Sequence, residues 1–215
     1  MVRVYALNIA PLPDPQENPE ILEGLWPERR EKALRQRESI KRKQSAGASL
    51  LLRWALKQRG LESKALRYGD NGKPSVEGIC FSLSHSGDMV ICAVGDKPVG
   101  CDIERTAQAH EKLAERFFAP AELEYLRSFS DDALNREFFR LWTMKESYIK
   151  MTGEGLKLPL SDFCVNIGRE ISVFRGGAAC PCRIKEYPLE AYALSVCTED
   201  REFSEGIEFV WQDAL

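Results

Sequence analysis

The chain has 215 residues, of which 44% are apolar and 29% charged, with a net charge of −3. This composition describes a folded, soluble protein of one large domain or two small lobes. It excludes a disordered chain, and no apolar run is long enough to span a bilayer. The charge is unevenly spread. From Glu28 to Arg59 eleven Lys/Arg stand against three Glu, a local +8 that leaves −11 on the remainder; such a block is either a solvated helix face or a surface for an anionic partner.

Residues 1–15 lack a charged-then-apolar secretory pattern, which points to the cytoplasm. The seven cysteines are odd in number and scattered, as expected of reduced, mostly buried thiols. Cys180-Pro181-Cys182 is the one close pair, and with only His85 and His110 in the chain it is a weak zinc signal. No groove-reading motif or aromatic-rich basic sheet points to nucleic acid.

Apolar alternation predicts a strand over 2–9, followed by a proline-punctuated loop. Pro27 suits a first helical turn and opens a helical run over 27–44. A second helix over 46–60 carries the core stripe Leu51, Trp54, Ala55 and Leu56 and stops at Gly60. Arg42 and Lys43 fall near the junction of these helices, where a helix start beside cations suits a phosphate. A turn over 68–74 holds Lys73 on a loop. Three strands with short turns at 86–88 and 95–98 then predict an antiparallel meander over 79–104. Ser84, His85 and Ser86 lie where its first strand enters the turn, and no G-x-S-x-G elbow makes them a hydrolase triad.

The stretch Val99-Gly100-Cys101-Asp102-Ile103-Glu104 ends the meander. Asp102 and Glu104 are two apart, so on an extended backbone both carboxylates point to one face. They are either a polar strand end in water or a pair that a cation must join, for which a hard divalent ion such as Mg²⁺ is the simplest choice. Helices are predicted over 111–118, 120–129 and 132–151. In the last, Glu146 and Lys150 share a face. This is either an i,i+4 ion pair worth about 0.3–0.5 kcal/mol, or a third carboxylate at the metal with a lysine beside it. Short strands follow over 163–167, 171–174, 182–187, 192–197 and 207–211. The whole reads as α+β: two similar lobes in pseudo-twofold relation, residues 1–105 and 106–215, each with a small antiparallel sheet and helices. The functional cleft would lie between them.

Four ordered motifs carry a resemblance. Gly72-Lys73-Pro74, then Phe81-Ser82-Leu83-Ser84-His85-Ser86-Gly87, then Gly100-Cys101-Asp102-Ile103-Glu104, then Trp142-Thr143-Met144-Lys145-Glu146-Ser147-Tyr148-Ile149-Lys150 together resemble the Sfp-type 4′-phosphopantetheinyl transferases, from about Trp26 to Phe163. Cys101 stands where the family has an aliphatic residue, and Gln44, flanked by Arg42 and Lys43, where it often has an Arg for the 3′-phosphate of coenzyme A. The resemblance implies transfer of the phosphopantetheine arm of coenzyme A to a serine of an acyl, peptidyl or aryl carrier protein. It implies Mg²⁺, or Mn²⁺ in its place, on Asp102, Glu104 and Glu146. Catalysis would fall to Glu146, Lys150 and Asp102, with Glu146 the first candidate for general base. Coenzyme A would contact Arg42 or Lys43 at its 3′-phosphate, Lys73 and Pro74 at its adenine end, and Ser84, His85, Lys145 and Lys150. A monomer is expected, with neither nucleic acid nor membrane as partner. A metal-dependent coenzyme A pyrophosphate hydrolase would use the same carboxylates, and a non-catalytic coenzyme A or carrier-binding module would keep them without turnover.

Overall fold

The computed structural model describes residues 1–69, 71–108 and 111–211. His110, and Asp70 of the expected 68–74 turn, lie outside the described residues. The elements run β1 (Val2–Asn8), α1 (Pro27–Leu34), α2 (Ser39–Lys57), β2 (Arg67–Tyr68), β3 (Pro74–Ser75), β4 (Cys80–Ser86), β5 (Met89–Gly95) and β6 (Val99–Arg105). They continue with α3 (Glu111–Phe117), α4 (Pro120–Leu126), α5 (Asp131–Thr152), β7 (Phe163–Ile167), β8 (Ile171–Arg175), β9 (Ala178–Ala179), β10 (Arg183–Glu186), β11 (Tyr192–Thr198) and β12 (Phe203–Phe209).

The fold is α+β. A four-stranded sheet has the order β12-β1-β5-β4, and a three-stranded sheet the order β10-β11-β6. The two sheets stack face to face. Val4, Ala6, Ile91 and Ala93 from the first pack on Cys101, Ile103, Leu194 and Val196 from the second. The outer face of the first sheet buries Tyr5, Leu7, Val90 and Cys92 against Leu51, Leu52, Ala55 and Leu56 of α2, the stripe that the 3.6-residue period of this helix aligns. On the far side of the second sheet lies α5, whose Phe138, Leu141, Met144 and Tyr148 join α3, α4, β7 and β8 in a second core. The layers are therefore helix, sheet, sheet, helix.

Two expectations about local organisation change. The basic run is not one helix to residue 44. It breaks after Leu34 and restarts at Ser39. The Arg42 guanidinium donates to the carbonyls of Gln36 (3.1 Å) and Arg37 (2.7 Å), capping the chain reversal from the far side. The meander also stops after two strands. β4 pairs with β5 antiparallel, but the other edge of β5 is taken by β1, so β6 pairs with β11 instead. In return β12, from the end of the chain, adds to β1 in parallel. Backbone pairing thus crosses the 105/106 division in both directions, and the two halves exchange strands.

Candidate active site

The strand β6 and the helix α5 meet at Gly100. A Cβ there would stand 2.0 Å from the Ser147 carbonyl oxygen and 2.3 Å from the Met151 nitrogen. The helix therefore rests directly on the strand backbone, and only glycine permits it. Thr143 Oγ1 and Ser195 Oγ, 2.9 Å apart, tie the same helix to β11. Alternation along β6 sends Cys101 and Ile103 into the core between the sheets and turns Asp102 and Glu104 to the α5 side. On α5, Trp142, Glu146 and Lys150 are spaced by four and share one face. These five residues, with Leu83, Ser84 and His85, line one cup of about 310 Å³.

Its electrostatics are unbalanced. Asp102 is 4% exposed. Its Oδ1 accepts Lys150 Nζ at 2.6 Å and Ser84 Oγ at 2.8 Å, while Oδ2 is buried with no partner. Lys150 pairs with this strand carboxylate. Burial opposes the Lys150 charge, but Asp102 and the other groups around it together outweigh burial and raise the ammonium pKa. Burial raises the Glu146 carboxyl, with the charges of Asp102 and Glu104 adding to it. Burial likewise raises Glu104, partly offset by the hydrogen bond that Ser86 Oγ donates to its Oε2 at 2.8 Å. Among the described residues no three His, Cys, Asp or Glu side chains form a ready metal cage. The seven cysteines are all unpaired.

The cup shares Leu83, His85 and Lys150 with a neighbouring cleft of about 340 Å³. Its floor is apolar, with Phe81, Leu83, Pro74 and Ile149. It is also lined by Lys32, Lys41, Lys73, Lys150 and the buried Arg29, and by no carboxylate among the described residues. Desolvation in the cleft, then the charges of Lys150 and Lys41, push the His85 imidazole down to about 4, so at neutral pH the ring is uncharged.

Several anticipated ligand-binding residues stand elsewhere. Arg42 is spent on Asp14, which it grips at 2.7 and 2.6 Å, and the pair holds the Asp14 carboxyl well below the usual range. Lys43 donates to the Ala10 carbonyl at 3.3 Å, outside the cleft. Gln44 is buried and donates to the Gly87 carbonyl at 2.9 Å, fixing α2 to the β4–β5 turn. Lys145 is fully buried on the opposite side of α5. It pairs with Glu122 at 2.7 Å, donates to the Phe163 carbonyl at 2.8 Å and lies over the Phe163 ring. It belongs to the core, not to a ligand site.

Lys73 reaches the cleft wall, but its ammonium is engaged by the backbone carbonyls of Lys150 and Val99. With Asn71, which donates to the Gly153 carbonyl at 2.9 Å, it docks the 71–74 turn on the end of α5. Pro74, Ser84, His85 and Lys150 do line the two cavities. Arg29, Lys32 and Lys41 were missed by the sequence reading. Their only signal was the summed charge of the basic block, which does not say which residues face inward.

Comparison with known proteins agrees with the geometry. The model of the 4′-phosphopantetheinyl transferase superfamily matches residues 98–197, which hold both β6 and α5. A 4′-phosphopantetheinyl transferase of Bacillus subtilis is 36% identical over 79% of this chain and 79% of its own length. The 4′-phosphopantetheinyl transferase Sfp of Bacillus subtilis strain 168 is 31% identical over the full length of both chains. The 4′-phosphopantetheinyl transferase psf-1 of Bacillus pumilus is 33% identical over 97% of this chain and 95% of its own. With the strand and helix motifs meeting in one cup and relatives matching end to end, the chain belongs to the Sfp-type 4′-phosphopantetheinyl transferases.

Proposed function

We propose that this transferase moves the phosphopantetheine arm of coenzyme A to a serine hydroxyl of an apo acyl, peptidyl or aryl carrier protein and releases adenosine 3′,5′-bisphosphate. The observation that carries this reading is the adjacency of the two cavities. A cleft lined by cations shares Leu83, His85 and Lys150 with a cup of three carboxylates. The apolar floor suits a base. Arg29, Lys32 and Lys41 suit the 3′-phosphate, in place of Arg42 and Lys43. Lys150 and the neutral His85 ring lie where a pyrophosphate would enter the cup.

The cup fits a hard divalent ion. Asp102 Oδ2 is a buried oxygen in need of a cation, and Glu104 and Glu146 are carboxylates whose charges burial and mutual repulsion disfavour. All are oxygen donors of the kind Mg²⁺ takes, with Mn²⁺ as the alternative. The ion would complete a site that the side chains alone leave open. Bound there, the ion would neutralise charge on the leaving phosphate. The serine oxygen attacks the phosphorus that carries the pantetheine arm, and the bond from that phosphorus to the bridging oxygen breaks. Lys150 donates to the phosphates as charge gathers. Glu146, with its raised carboxyl, accepts the serine proton.

Both halves of the site come from one chain, so a monomer suffices. Unpaired thiols suit the cytoplasm, and among the described residues no helix is long and apolar enough to cross a membrane. Nothing here calls for nucleic acid. Incubation with coenzyme A and Mg²⁺ tests the reading: adenosine 3′,5′-bisphosphate is expected only when an apo carrier is added. Its release without a carrier would instead mark a pyrophosphate hydrolase.

A further inference from the structure

The facing edges of β4 and β6 belong to different sheets and exchange no ladder hydrogen bonds. Three serines of β4 fill the gap. Ser82, Ser84 and Ser86 are two apart, so all three point to one side of the strand. Each hydroxyl accepts a backbone N–H of β6: Ser82 from Cys101 at 3.0 Å, Ser84 from Ile103 at 3.4 Å, Ser86 from Arg105 at 3.0 Å. A hydroxyl accepts and donates at once. Two of the three spend their proton on the residue between those amides. Ser84 donates to Asp102 Oδ1 at 2.8 Å, and Ser86 to Glu104 Oε2 at 2.8 Å. Ser84 also accepts Lys150 Nζ at 2.9 Å, which completes its three bonds. Among the described residues no such bond to a carboxylate runs from Ser82.

We infer that Ser84 and Ser86 are positioning residues that aim the carboxylates of Asp102 and Glu104 at the divalent cation, whereas Ser82 only closes the seam between the sheets. The inference rests on the metal reading above. Each of the two serines holds one oxygen of its carboxylate from a rigid strand and makes no bond to the second. Asp102 Oδ2, buried and unpartnered, is the oxygen so left. At Glu104 the neutral Ser86 hydroxyl does this without drawing on the negative charge that the ion needs; at Asp102, Ser84 shares Oδ1 with the Lys150 ammonium. Partners that orient ligating groups from behind are worth about 10–100-fold in metal affinity.

The test is titration of the purified full-length protein with Mn²⁺ alone, reading free ion by electron paramagnetic resonance, alongside thermal melting. Ser84→Ala and Ser86→Ala should each weaken Mn²⁺ binding about tenfold or more. Ser82→Ala should lower the melting temperature by a similar amount and leave Mn²⁺ affinity at the wild-type value. Ser86→Thr, which keeps the hydroxyl, should restore it. Asp102→Asn serves as the reference for loss of the ion. If Asp102→Asn loses Mn²⁺ but Ser84→Ala and Ser86→Ala bind as wild type, or if Ser82→Ala weakens binding equally, the serines are only a seam and the inference fails while the metal reading stands. If the wild type binds no better than Asp102→Asn, the metal reading fails and takes the inference with it.

Discussion

Glu146 is half-buried beside two other carboxylates, and its ionisation is opposed by desolvation and by the charges of Asp102 and Glu104. Glu146→Gln keeps the volume and removes that charge. Turnover at saturating Mg²⁺ should fall about 10²–10³-fold, as for other groups that stabilise transition-state charge, while the melting temperature without metal should not fall. Turnover near wild type would remove Glu146 from the chemistry. His85 gives a second check. With its pKa pushed down to about 4, its ring proton signals should titrate near pH 4 in the free protein and move to higher pH when adenosine 3′,5′-bisphosphate binds. His85→Gln assigns the signals, since the chain has only one other histidine. A titration near 6.5 would show the ring neither desolvated in the cleft nor held down by Lys150 and Lys41. At this scale the sequence was readable where backbone period alone decides the outcome. Asp102 and Glu104 share a face because strands alternate. It was unreadable where a long side chain chooses among distant partners. Arg42, Lys73 and Lys145 looked like coenzyme A ligands, yet Asp14, two backbone carbonyls and Glu122 claim them.

Between elements, the decisive contact is the backbone-to-backbone seat of α5 on β6. It brings the Asp102–Glu104 pair and the Trp142–Glu146–Lys150 face into one cup, and it exists because Gly100 has no side chain. Gly100→Ala puts a methyl at 2.0 Å from the Ser147 carbonyl, so the helix must move. The expected cost is about 1–3 kcal/mol of stability, the range for overpacking, measured by urea unfolding, with activity falling further than stability explains because the carboxylates no longer align. A variant with wild-type turnover would show that the seat does not set the site. Here the sequence marked Gly100 as part of a motif but hid the reason, since the clashing atoms lie some fifty residues away in the chain. The helix break at residues 35–38 was hidden in the same way, because the Arg42 side chain, not a local proline or glycine, caps it.

Across the whole molecule the two halves are interlocked by the exchange of β6 and β12, so the protein should unfold in one transition. The carboxylates make that transition respond to pH and metal together. The pKa values of Glu104 and Glu146 are raised in the folded state. Their contribution is therefore fully favourable below the ordinary carboxylate range and is lost as pH rises through the raised values. A divalent ion offsets the repulsion only where the groups are ionised. Mg²⁺ should accordingly raise the melting temperature at pH 7.5 and do little at pH 4.5; equal effects at both would contradict the assigned charges. The α+β class was legible, because helical and strand periods are local. The sheet partners were not. Short turns predicted that three strands in series would pair, but β1 had already taken the edge that β6 needed.

The central claim is that strand and helix together hold a metal-dependent phosphopantetheinyl transfer site. The most direct measurement is the intact mass of an apo carrier protein after incubation with this protein, coenzyme A and Mg²⁺, with Asp102→Ala in parallel. The account predicts a mass gain of one phosphopantetheine on the carrier, abolished by chelation of the metal and absent with Asp102→Ala. A gain that survives both chelation and Asp102→Ala would contradict it.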